Sequence, residues 1–180
     1  MNWTLRPAVN GDVPVLEQLI PLSVRALQAP YYSAAQMDAA IGPVFGVDHQ
    51  LIADGTYFAV EQDGRLIGCG GWSRRESLCG GGQAGAPAQA VLDPRRDAAR
   101  IRAFFVHPDF ARRGIGRSIL AACESAIIAA GFHRAELLAT LAGEPLYAAG
   151  GYRVVERSEL ELKNGVRLPV VLMGRELRGA

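Results

Sequence analysis

Lysine is almost missing from this chain: of 19 basic residues, only Lys163 is not an arginine. Charge of one sign is missing too, because 18 acidic residues bring the net charge to +1. Composition therefore gives no reason to expect nucleic acid or an anionic membrane as partner, and any anion binding must come from locally clustered arginines, whose planar forks suit phosphate. The 3 cysteines, Cys69, Cys79 and Cys123, are odd in number and form no CxxC pair. A disulfide framework is therefore not expected, and a reducing compartment fits best. His49 and His133 have no metal-ligating partners at useful spacing, so no metal is expected. No uncharged apolar run approaches the ~18 residues a membrane span needs. The opening Met1–Pro7 lacks a basic segment followed by an apolar run, so neither a signal peptide nor a membrane is expected, and cytoplasmic is the default location.

What is present is a globular composition: 180 residues, 49% apolar and 21% charged, enough for a single domain over 1–180 with a substantial core. Thr4 to Pro7 reads as a short strand. Asn10 or Asp12 would cap a helix running to about Leu27, with Val15, Leu16, Leu19 and Ile20 as its apolar side. Ser33 and Gln36 have capping-box spacing ahead of a second helical stretch. Thr56 to Glu61 is a strand, Asp63-Gly64 a hairpin turn, and Leu66 to Trp72 the returning strand. The dense glycines Gly68, Gly70 and Gly71 mark either a bulge or a ligand close to the backbone, or else a distorted strand entering a loop. Residues 74–99 carry glycine and proline without periodicity and read as a long loop, either a lid or simply mobile.

Arg100 to Val106 is a strand ended by Pro108. After a glycine turn at 114–116 a helix runs to about Ala130, with Ile115, Ile119, Cys123 and Ile127 repeating every four residues. Ala135 to Thr140 is a strand, Glu144 to Ala149 a short helix, and Tyr152 to Leu162 with Val166 to Leu177 a final hairpin around Asn164-Gly165. Mixed strands and few helices imply an α/β or α+β class, with a mostly antiparallel central sheet flanked by helices.

The strongest local signal is Arg112-Arg113-Gly114-Ile115-Gly116-Arg117, between strand and helix. Glycines let the backbone turn and expose N–H groups, the helix start adds its positive dipole end, and the arginines add charge-assisted bonds: together a diphosphate site. The other reading is a glycine-tight helix start. No Gly-Lys-Ser/Thr follows, so it is not a nucleoside triphosphate loop, and Ile119 at the third glycine position excludes a full dinucleotide fingerprint.

The run from Val106-His107-Pro108 to Arg112-Arg113-Gly114-Ile115-Gly116-Arg117-Ser118 resembles the central acetyl-CoA-binding motif of the GCN5-related N-acetyltransferase (GNAT) superfamily, Gln/Arg-x-x-Gly-x-Gly/Ala. Gly114 and Gly116 match, while Ala111 stands where Gln or Arg is usual. A second segment, Leu146-Tyr147-Ala148-Ala149-Gly150-Gly151-Tyr152, resembles the family's Phe-Tyr-x-x-x-Gly-Phe, and the opening Leu5-Arg6-Pro7-Ala8 and the Asp63-Gly64 hairpin fall in the usual order. The resemblance covers nearly the whole chain apart from 74–99.

It implies a GNAT-like fold with a splayed sheet, and acetyl-CoA as donor co-substrate. Pantetheine would lie along the main chain of Phe105 and Val106, with the diphosphate on Arg112, Arg113, Gly114, Ile115, Gly116, Arg117 and Ser118. A main-chain N–H near Val106 would stabilise the thioester oxyanion. Tyr147 would be the catalytic acid toward the departing thiolate; on its residues alone it is as readily a packed aromatic. An amine acceptor, on a small molecule or a protein, would attack directly in a ternary complex, with no covalent nucleophile. Cys123 reads as core. His107, Glu61 and Glu136 are candidates for a general base, each also explained as a turn or face residue. Tyr31, Tyr32, Trp72 and the 74–99 loop are expected on the acceptor side. The competing function is a non-catalytic module that binds acyl-CoA as a regulatory ligand; a homodimer is the default oligomer by frequency.

Overall fold

The computed structural model describes residues 2–79 and 89–177. Its elements run β1 (Thr4–Pro7), α1 (Val13–Leu27), α2 (Ala34–Ala40), α3 (His49–Ala53), β2 (Tyr57–Gln62), β3 (Arg65–Ser73), β4 (Ala99–Val106), α4 (Ile115–Ala129), β5 (Arg134–Thr140), α5 (Glu144–Ala149), β6 (Arg153–Glu161) and β7 (Arg167–Glu176). The strands form one 7-stranded sheet in the order β1-β2-β3-β4-β5-β7-β6. Every neighbouring pair is antiparallel except β4 and β5, which the α4 crossover makes parallel.

Helices cover both faces, giving two cores. On one face α1 and α2 bury Leu16, Leu19, Ile20, Val24 and Met37 against Tyr57, Cys69 and Phe105. On the other, Ile115, Ile119, Leu120, Cys123 and Ile127 of α4 pack with Val60, Ile67, Trp72, Leu137 and Tyr147. The four-residue repeat of α4 is thus wholly inside, Cys123 included. On α1 the apolar stripe is Leu16, Leu19, Ile20 and Val24, whereas Val15 is exposed. Ser33 and Gln36 form the expected capping box, Ser33 Oγ accepting from Gln36 N at 3.2 Å and Gln36 Oε1 from Ser33 N at 2.9 Å. The short helix α3, capped by Asp48, has no periodicity long enough to be read from sequence.

The glycines of β3 are explained by close approach. A Cβ on Gly68 would lie 2.8 Å from Ile115 Cγ2, and one on Gly70 would lie 2.5 Å from Phe104 Cδ2 and 2.8 Å from Ile119 Cγ2. The missing side chains seat α4 and Phe104 directly on the sheet, which fixes where the helix begins. The flanks of the 74–99 loop pair with each other: Leu92 N donates to Arg74 O at 2.8 Å, Glu76 N to Ala90 O at 3.2 Å, and Arg75 forms an ion pair with Asp54 at 3.0 Å. The rest of that loop, 80–88, lies outside the described residues.

Candidate active site

The parallel pair β4 and β5 is joined over only three positions, Ala99–Ile101 against Ala135–Leu137. Beyond them β4 stays with β3 and β5 stays with β7, so the two main chains part toward their carboxyl ends. Such a crevice at the carboxyl ends of parallel strands is where open sheets admit ligands. It starts at an irregularity in β4. Cys69 faces Phe105 but Gly71 faces Arg102, so one extra residue is inserted at Ala103–Phe104. Ala103 has φ 62°, the left-handed value of a bulge position usually given to glycine. The insertion reverses the alternation of β4: Phe104 turns to the α4 face and Phe105 to the α1 face.

The strand then enters the arginine-glycine turn. His107 Nδ1 accepts from Asp109 N at 3.2 Å and caps a short 3-10 turn over Pro108–Phe110. Arg112 (φ 62°) and Gly114 (φ 91°) both take left-handed backbone, and Gly114 is the N-cap of α4. The first helical bond from this end is Ser118 N to Gly114 O at 3.0 Å, so the preceding amides of α4 point outward without intrahelical acceptors. Arg112, Arg113 and Arg117 are exposed and make no ion pair among the described residues; Arg113 lies 5.2 Å above the Phe110 ring. This is a concentration of positive charge at a helix start. Ile115 contributes only its amide, since its side chain is core, and Ser118 Oγ donates to Gly114 O at 3.2 Å. A Cβ at Gly116 would come within 3.0 Å of Leu146 Cδ2, so this glycine lets α5 press against the turn.

Tyr147 sits on α5, buried on the wall of the crevice, edge-on to Phe104 (centroids 5.8 Å apart) and to Tyr152 (6.1 Å). Burial pushes its hydroxyl well above the usual phenol range, so it keeps its proton at neutral pH. Phe105 turns its ring away from the crevice onto Phe45, at 6.2 Å, leaving only its main chain for a ligand. Val106 N is engaged by Ser23 Oγ of α1 at 3.2 Å, so a ligand oxygen at this amide shares or displaces that hydroxyl. Ser23 is a site neighbour that sequence could not reveal, lying 83 positions from Val106.

The structure gives the other expected residues these surroundings. Trp72 is buried on the α4 face, edge-on to Phe132 at 6.2 Å, and is core rather than acceptor surface. Tyr32 is buried, its hydroxyl donating to Pro169 O at 2.7 Å and accepting from Leu141 N at 2.9 Å, a clamp between the α1–α2 link and the ends of β5 and β7. Tyr31 is exposed. Glu61 is bonded by Arg6 at 3.2 Å, Glu136 pairs with Arg100, and His107 Nδ1 serves the turn. Two of the open cavities among the described residues bear on the site. The larger, about 490 Å³, is lined by Arg134, Glu136, Arg153 and Arg175 at the strand ends away from the crevice. A groove of about 420 Å³ between α1, the 41–49 link and Lys163 of the β6–β7 turn includes Ile20 and Phe45. It lies one ring from Phe105 and one helical turn from Ser23, so it is the cavity adjacent to the crevice. No three His, Cys, Asp or Glu side chains among the described residues gather as a metal site, and no described helix is long and apolar enough to cross a membrane.

Comparison with solved structures places this architecture. A GCN5-related N-acetyltransferase from Rhodopseudomonas palustris aligns with a TM-score of 0.73 and 22% identity, over 98% of this chain and 97% of that one. PaiA N-acetyltransferase from Thermoplasma acidophilum, solved with coenzyme A, aligns at 0.66 and 13% identity over 98% and 99%. YncA from Salmonella typhimurium, solved with its cofactor acetyl-CoA, aligns at 0.66 and 19% identity over 100% and 96%. No curated protein matches in sequence. At such identities the likeness establishes the fold; the family rests on sequence, where the acetyltransferase (GNAT) model matches residues 22–152, from α1 through the crevice and turn to Tyr152. Spanning most of the chain, that match makes this protein a member of the GNAT acetyltransferase family.

Proposed function

We propose that this protein transfers an acetyl group from acetyl-CoA to a primary amine, the amine attacking the thioester directly while both substrates are bound. The observation that carries the reading is the crevice between β4 and β5, which runs to an arginine-rich helix start and has a protonated tyrosine on its wall. The donor's diphosphate is held by the outward amides of α4 and by Arg112, Arg113 and Arg117, in charge-assisted bonds. Its pantetheine arm follows the free edge of β4 past Phe105 and Val106. A β4 amide at the thioester stabilises the oxyanion of the tetrahedral intermediate; Tyr147 gives its proton to the departing thiolate and is reprotonated by the proton that the attacking nitrogen releases. Membership in the family and the coenzyme A complexes of PaiA and YncA support the donor.

The acceptor enters from the opposite face, by the groove over Ile20, Phe45 and Val47. That floor is apolar, and the single carboxylate lining it, Glu17, is offset by Lys163. Such a groove suits an amine on an apolar body better than a polycation, whose charges would go unpaired.

Calorimetric titration with acetyl-CoA tests the donor site, with Gly114→Glu as control. A Cβ at Gly114 meets open space, so the variant adds no clash and costs backbone strain of about 1–2 kcal/mol, and a circular dichroism melt checks that it is folded; its carboxylate occupies and repels at the phosphate turn. Micromolar binding by the wild type, lost in Gly114→Glu, is the expected result; no binding by the wild type overturns the assignment. An amine screen follows, in which Tyr147→Phe lowers kcat by about 100-fold or more, as loss of a general acid does. Tight binding without turnover of any amine would point instead to an acyl-CoA-sensing module.

A further inference from the structure

The sharpest backbone anomaly beside the crevice is Ala103, a residue with a side chain at φ 62° in the middle of a strand. L-residues disfavour this conformation and keep it only where their surroundings impose it. The partner on its carbonyl is Tyr57 of β2, whose hydroxyl lies 3.2 Å from Ala103 O and 3.2 Å from Cys69 Sγ. Tyr57 is completely buried, and no other residue type carries a hydroxyl on an arm that spans β3 from β2 in this way.

We propose that Tyr57 is a positioning residue for acetyl transfer: its hydroxyl locks the left-handed bulge at Ala103 and thereby sets the crevice wall. The chain of contacts is short. The bulge puts Phe104, not Ala103, on the α4 face, and Phe104 is the ring against which Tyr147 rests at 5.8 Å. It also begins two residues past the β4–β5 pairing, at Ala103, so it shapes the edge of β4 that the thioester would meet. Without the bulge, the two-residue alternation would send Phe104 to the α1 face and leave Tyr147 without its support. Tyr57 touches no substrate and donates no proton in the reaction; burial holds its hydroxyl far above the usual phenol range, which keeps it a hydrogen-bond donor at every working pH.

This inference rests on the acetyltransferase reading, and its test is a rescue. Tyr57→Phe keeps the ring and removes the lock. We expect kcat to fall about 10–100-fold, the scale of a small misplacement at a reacting centre, with the KM for acetyl-CoA nearly unchanged because the phosphate turn is untouched. Adding Ala103→Gly should restore most of the lost kcat, since glycine holds a positive φ without help. Where Tyr57→Phe does not fold, Ala103→Val decides: with the hydroxyl in place but a β-branched residue forced into left-handed backbone, it should show the same selective loss of kcat. A wild-type kcat in Tyr57→Phe, or a loss that Ala103→Gly leaves unrepaired in folded protein, overturns the lock. Wild-type enzyme that binds no acetyl-CoA overturns the functional reading instead, so the two failures are distinct.

Discussion

Removing the carboxylate of Asp48 should cost this protein a large part of its stability. Asp48 and Arg102 form an ion pair at 2.7 Å with side chains only 1% and 3% exposed. The guanidinium also donates to Ser77 O at 2.6 Å, and Asp48 Oδ1 caps α3 by accepting from Leu51 N at 3.0 Å. Deleting one member of a buried pair strands the other charge in a poorly polarisable interior, at about 3–5 kcal/mol. Asp48→Asn keeps a cap acceptor and loses only the charge; Asp48→Ala loses both, adding about 1 kcal/mol. For a chain of this length ~2–4 °C of melting temperature accompanies each kcal/mol, so Asp48→Asn should melt roughly 6–20 °C below wild type. Differential scanning calorimetry reads this directly. The double variant Asp48→Leu with Arg102→Met removes both charges and should recover much of the loss, because the pair's attraction largely repays its own desolvation. An Asp48→Asn protein melting within about 2 °C of wild type would refute the reasoning, since it would mean that Arg102 is not confined to the dry site its exposure implies.

Two further outcomes follow from local electrostatics. Arg6 bonds both oxygens of Asp12 at 2.8 Å, and together with Val9 N this holds the carboxyl below its usual range. A depressed carboxyl contributes stability above its unfolded value of about 3.9 and loses it as the pH falls through the folded one. Denaturant melts should therefore show Asp12→Asn less stable than wild type at pH ~6, with the gap closing below pH ~4; a gap independent of pH would contradict the pairing. Among the thiols, burial pushes Cys69 up to about 12 and Cys123 well above its ordinary value; it raises Cys79 too, but Cys79 alone of the three is partly exposed. A disulfide reagent should find only Cys79 in native protein and all three thiols in denaturant; rapid native labelling of Cys69 or Cys123 would show that those cores open.

The turn and its helix were legible because local rules govern them. Glycines at 114 and 116, clustered arginines and a four-residue apolar repeat act within one or two turns of chain, and the structure has each where the pattern puts it. Tyr147 stands in a segment with its own family signature, and the structure has it on a short helix as that segment implied. The aromatics expected on the acceptor side could not be placed from sequence for the opposite reason. Tyr32, Trp72 and Tyr31 look alike as aromatics, yet one clamps Pro169 O, one packs on Phe132 and one is exposed. Which face a strand residue meets depends on parity, and parity in β3 and β4 is reset by bulges that no composition announces.

The sequence by itself determined the fold family, the order of the elements other than α3 and the place of the arginine-glycine turn, because periodicity, glycine and capping residues act over short stretches of chain. Tertiary structure alone decided which groups of distant segments meet: Ser23 at the Val106 amide, Asp48 on Arg102, Tyr57 on the Ala103 carbonyl. Those contacts join residues 83, 54 and 46 positions apart, and their geometry is set by how β4 leaves β5 and by the glycines that let α4 close on the sheet. A hydroxyl or carboxylate acquires such a role only when packing removes water and leaves it one partner, and that selection is made by the whole fold.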